Sequence, residues 1–100
     1  MTLRELLSGA AGTLPDTSVS AEPDGTLRWA RLGRVFAVLG SDGSAAEFAL
    51  DTSIAAAAVR TPDATASGRG PGWVRFAPVT LEDHAIDRAT AWFASAYRRA

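Results

Sequence analysis

His84 is the only histidine in the chain, and acids flank it at Asp83 and Asp87. On a helix, positions i and i+3 face each other, so His84 and Asp87 can act as a base with an orienting carboxylate or as part of a metal ligand set. One helical turn supplies too few converging ligands to hold a metal. The simpler reading is a solvated first turn whose acids complement the helix dipole. Ser, His and Asp all occur, yet no Gly-x-Ser-x-Gly elbow accompanies them. No catalytic residues are assigned. We expect a protein that is not an enzyme and that uses no cofactor and no metal.

Anion recognition is the other chemistry on offer. Gly68-Arg69-Gly70-Pro71-Gly72 combines glycines, which let backbone amides approach a phosphate, with an arginine. It is not a P-loop, because no Gly-Lys-Ser/Thr follows and the segment leads into a strand. A flexible connector is the plainer reading. The net charge is −1, and every basic side chain is arginine, whose planar fork pairs bidentately with phosphate or carboxylate. Residues 60–79 carry Arg60, Arg69 and Arg75 against Asp63 alone. Arg28, Arg31, Arg34 and Arg75 fall on expected strands. On an exposed sheet face these four form a stripe suited to a phosphate backbone; with Arg60 and Arg69 of the 60–75 stretch they make up the candidate nucleic-acid-binding set, and Trp29 or Trp73 can add a stacking surface. The competing reading is an ordinary charged outer face with the tryptophans turned to the core.

The frame that must hold these groups is small. One hundred residues suit a single domain, 1–100. Apolar residues make up 47% and charged residues 21%, which fits a globular chain and not a disordered one. No apolar run reaches the roughly 20 residues of a membrane span, so no membrane partner is expected. Glu5 interrupts the first apolar stretch, unlike a signal peptide. Cysteine is absent, which allows a reducing cytoplasm, the expected location.

The pattern predicts the elements in order. Thr2-Leu3-Arg4-Glu5 fits a capping box, and Leu3, Leu6, Leu7 and Ala10 share one face of a helix over Leu3–Ala11. Thr17–Ala21 reads as an edge strand. Pro23-Asp24-Gly25 is a turn. Thr26–Leu32 is a strand with Leu27 and Trp29 on one face and Arg28 on the other. Gly33 marks a tight reversal into Arg34–Leu39, apolar on both faces as a central strand requires. After a turn-rich loop, Ala45–Leu50 is a strand with Glu47 outward. Asp51 or Thr52 caps a helix over Ile54–Arg60, and Pro62 ends it. Residues 61–72 read as one long loop, and Trp73–Phe76 as the last strand. Thr80 is expected to cap a final helix whose apolar stripe includes Leu81, Ala85, Ala89, Trp92, Phe93, Ala96 and Tyr97. The expected fold class is α+β: an antiparallel sheet of about five strands with helices packed on one face, in the order α-β-β-β-β-α-β-α.

Three stretches carry a family resemblance. Leu14-Pro15-Asp16 precedes the edge strand. Trp29-Ala30-Arg31-Leu32-Gly33-Arg34-Val35-Phe36-Ala37-Val38-Leu39 forms a hairpin with glycine at its turn. Gly72-Trp73-Val74-Arg75-Phe76 is followed about twenty residues later by Ala96-Tyr97. In their order and spacing, over about residues 3–98, they make the chain resemble the MmcQ/YjbR family of small bacterial proteins. The resemblance implies a double-wing, CyaY-like α+β fold and a DNA-binding role. The chain departs from the family in its short N-terminus and in having Arg69-Gly70-Pro71-Gly72 where lysine and asparagine often precede the tryptophan. A weaker likeness is to small luciferase-domain proteins, which share a Gly-Trp-Val strand before a final helix ending in Tyr. The expected function is a binding module for DNA. The runner-up is a protein–protein interaction or homodimer module that uses an exposed sheet face or edge.

Overall fold

The capping box forms as the sequence dictates. The Thr2 hydroxyl accepts from the Glu5 amide at 3.1 Å, and the Glu5 carboxylate accepts from the Thr2 amide at 2.9 Å. It opens α1, Leu3–Ala11, which buries Leu3 and Leu7. The computed structural model describes residues 1–100. Six strands follow in the chain: β1 Thr17–Ala21, β2 Leu27–Arg31, β3 Arg34–Leu39, β4 Ala46–Ala49, β5 Ala64–Ala66 and β6 Trp73–Phe76. Helix α2, Thr52–Ala58, lies between β4 and β5, and α3, Asp83–Arg99, closes the chain.

The strands form one sheet in the order β1-β2-β3-β4-β6-β5, and every neighbouring pair is antiparallel. The architecture is the expected α+β one, with one strand more. The extra strand, β5, lies inside the stretch read as a loop. It has three residues, two of them alanine, and offers neither β-branched enrichment nor alternation to betray it. Because β4 and β5 are each antiparallel to β6, they run parallel to one another. Helix α2 carries the chain across from β4 to β5, and β6 returns to fill the gap between them.

A two-residue turn fixes the register of the β2–β3 hairpin. Leu32 and Gly33 both have positive φ, 49° and 85°, so the β2–β3 turn is of type I′, whose twist matches that of the strands. A side chain at Leu32 is strained there, and it is also exposed. The final helix starts later than Thr80 predicts. Glu82 is the N-cap instead: its carboxylate accepts from the His84 amide at 2.9 Å and the Ala85 amide at 2.8 Å. Two carboxylate oxygens satisfy two orphan amides, where a threonine hydroxyl satisfies one.

All three helices contribute to a single core on one face of the sheet. Phe93 of α3 is fully buried at its centre. Edge-to-face contacts surround it, with ring centroids 5.6 Å from Trp29, 5.1 Å from Phe36 and 6.5 Å from Phe48. Trp92 stands edge-on to Phe76 at 5.2 Å. The Tyr97 hydroxyl donates to the Pro15 carbonyl at 2.8 Å and ties α3 to the segment that enters β1. No helix is long and apolar enough to cross a membrane.

Candidate recognition face of the sheet

Side chains alternate across a sheet, so the strands that feed the core also present a second face. No helix covers it. One row of cross-strand neighbours on this face runs the full width of the sheet: Ser20, Arg28, Val38, Glu47, Arg75 and Thr65. The next row places Ala49 beside Trp73. Val38 is 1% exposed yet lies outside the core cluster, so its cover comes from its neighbours on the open face, Arg28 and Glu47. Arginine stems commonly shield apolar surface in this way.

Glu47 is the hub of the face. It accepts a bond from the Ser67 hydroxyl and another from Arg69 Nε at 2.9 Å, and Arg75 is its cross-strand neighbour. The Arg69 guanidinium also lies over the Trp73 ring, 5.8 Å from its centroid. Trp73 is half-buried, with this arginine over its ring. Burial pushes the Glu47 carboxyl upward. The bonds from Ser67 and Arg69, with the charges of Arg69 and Arg75, outweigh it and hold the group below its ordinary value of 4.5. Glu22 pairs with Arg28 at the other end of the row. Asp42 is held below its usual range first by the Ser44 amide and hydroxyl, with a smaller contribution from Arg75.

This geometry makes a pH prediction. A carboxylate whose pKa is depressed in the folded state contributes stability above its unfolded value, and that contribution fades as pH falls through the folded value. For Glu47 the loss begins near pH 4.5 and deepens toward more acid pH. Glu47→Gln is expected to cost about 1 kcal/mol at pH 7 and to flatten the acid limb of the stability curve. Urea melts at several pH values read this out. Parallel curves for the two proteins would contradict it.

The six arginines singled out in the sequence separate into groups. Arg28, Arg69 and Arg75 share the open face, Arg69 and Arg75 beside Glu47 and Arg28 two strands away from it. Arg31 is on the helix side, where it donates to the Tyr97 carbonyl at 3.1 Å and its guanidinium lies 4.4 Å from the Tyr97 ring centroid. Arg34 is exposed at the hairpin turn, and Arg60 is exposed just past α2. Trp29 is in the core, so Trp73 is the tryptophan on the recognition face. His84 is exposed in the first turn of α3, and no three His, Asp or Glu side chains converge as a metal set. In the glycine-rich loop, the Arg69 amide bonds the Ser67 hydroxyl at 3.2 Å and the Trp73 amide bonds the Gly70 carbonyl at 3.2 Å. Both are engaged within the loop.

Sequence reading placed Glu47 outward but gave it no role. Its partners Ser67 and Arg69 lie 20 and 22 residues further along. They reach it only because β6 inserts beside β4, and no local spacing reports that. The chain matches no known family model, no curated protein and no solved structure.

Proposed function

We propose that this protein is a non-enzymatic, cytoplasmic binding module of the MmcQ/YjbR type whose open sheet face recognises DNA. The observation that carries the reading is the convergence of Arg69, Trp73 and Arg75 on a face that no helix covers, with Arg28 in the same row as Arg75. Guanidinium groups fit phosphate oxygens, and a half-exposed indole offers a stacking surface for a base. Glu47 and Glu22 act as internal stand-ins for phosphate, each holding an arginine until a ligand takes it over.

The test is fluorescence anisotropy with a random labelled DNA, single-stranded and duplex, at low and at moderate salt. Binding is expected to weaken steeply with salt, and Arg69→Ala with Arg75→Ala together to lower affinity about tenfold or more, as two phosphate contacts are lost. Glu47→Gln is expected to tighten binding, because it frees Arg69. No detectable binding at low salt would end the DNA reading.

One observation favours a second reading, a protein–protein or homodimer module. Two of the three arginines of the open face are already matched by carboxylates, Arg28 by Glu22 and Arg69 by Glu47. Charges of both signs suit a polypeptide surface better than a polyanion.

A further inference from the structure

β1 is an edge strand with none of the usual guards. Thr17-Ser18-Val19-Ser20-Ala21 contains no charge and no proline, and all but Thr17 are exposed. Natural edges are blunted by lysine, proline or bulges, because bare backbone groups recruit another strand. The Glu22 amide bonds the Thr26 carbonyl at 2.8 Å, and the Leu32 amide bonds the Asp16 carbonyl at 3.3 Å. In an antiparallel ladder, hydrogen-bonded pairs alternate. Residues 16, 18, 20 and 22 therefore face β2, and Thr17, Val19 and Ala21 aim their N–H and C=O groups outward.

These same three side chains are on the helix side of the sheet, since Val19 pairs with Trp29 and Ala21 with Leu27. The helices stop short of them. A groove of about 260 Å³ lies between the end of α1 and β1, lined by Ser8, Ala11, Gly12, Thr17, Val19 and Trp29. Val19 is 58% exposed at its rim, and the Thr17 hydroxyl is buried without a partner.

We propose that β1 is a self-association site, at which a second copy of this chain adds its own β1 antiparallel about a two-fold axis at Val19. The strand is self-complementary in that register. Val19 meets Val19, Thr17 meets Ala21, and Ser18 meets Ser20. The outward backbone groups of residues 17, 19 and 21 then form about six inter-chain hydrogen bonds. Each Val19 seats at the rim of the other copy's groove, and both helix layers stay on one side of a continuous sheet. The flanking acids do not oppose this pairing. Asp16 has left the strand conformation, with φ 62°, and Glu22 is neutralised by Arg28. One strand per copy buries little area, so the association is weak and shows only at high protein concentration. This proposal deepens the homodimer reading above and is independent of DNA binding.

The experiment is sedimentation velocity on the full chain, from about 10 µM to 1 mM. Wild type is expected to shift from monomer to dimer. Val19→Pro removes an outward N–H that the monomer does not use, so it is expected to fold and stay monomeric. Val19→Lys, which keeps the backbone intact and places like charges at the two-fold axis, is expected to do the same. Circular dichroism verifies the fold of each variant. A wild type that is monomeric throughout overturns the site and the homodimer reading together. A dimer that persists in Val19→Lys overturns the site alone, because self-association then uses another surface.

Discussion

Phe93→Ala is expected to remove most of the stability of this domain. The ring is fully buried and touches aromatic partners from two central strands and from β2. Its loss deletes transfer free energy and leaves a cavity that rigid neighbouring rings cannot close, at about 3–5 kcal/mol. Small domains have only about 5–15 kcal/mol in hand. The melting temperature should fall by on the order of 15–30 °C, at roughly 4–8 °C for each kcal/mol. Guanidinium unfolding with an unchanged m-value checks that the native state is the one affected. A loss under about 1 kcal/mol would mean that α3 is not seated on the sheet by this ring.

Gly72→Ala is the second large effect, and it arises from backbone rather than core. Gly72 has φ +81°, and a Cβ there would lie 2.3 Å from the Leu50 carbonyl oxygen. The same two residues are joined by the Leu50 amide, which donates to the Gly72 carbonyl at 2.9 Å. A methyl group must therefore push the start of β6 away from the end of β4. Left-handed strain of about 1–2 kcal/mol adds to an overpacking cost of about 1–3 kcal/mol, so the total is about 3 kcal/mol. Gly43 gives the control. It also has positive φ, 76°, but a Cβ there meets nothing within 4 Å. Gly43→Ala should cost only the strain, about 1–2 kcal/mol. Equal losses in the two variants would show that the contact with Leu50 plays no part. Because Gly72 sets the start of β6, its replacement should also displace Trp73 from under Arg69.

These two positions differ in how far the sequence discloses them. The stripe on α3 announces Phe93, because helical periodicity is a local property of seventeen consecutive residues. The four-strand meander from Thr17 to Ala49 was equally legible, since turn residues and short links force neighbours to pair. In the sequence Gly72 reads only as the end of a glycine-rich loop and the start of a Gly-Trp-Val stretch. Its physical reason is a close approach to Leu50, which is a tertiary fact. β5 escaped notice because alanine and threonine in a three-residue edge strand carry almost no pattern. Its pairing with β6 is set by the partner strand and by α2, not by its own preferences. The start of α3 is not legible locally, because Thr80 is a preferred cap type and Glu82 is not, and the chain path decides which side chain reaches the free amides.

The candidate site shows the same division. Alternation along β2 separates Arg28 from Arg31, which falls on the side of Trp29. Arg75 and Trp73 share a face by the same rule. What alternation cannot supply is the neighbour. Glu47 meets Arg69 and Arg75 because the strand order skips from β4 to β6, so a carboxylate enters the middle of an arginine row. That carboxylate offsets part of the positive charge of the row.

The open face is tested most directly by mapping backbone and side-chain NMR shifts while short random DNA is added at low salt. The expected result is a set of shifts confined to Glu47, Ser67, Arg69, the Trp73 indole and Arg75, growing with DNA and reversed by salt. Shifts centred on α1 and α3, or a spectrum that does not move, would contradict it.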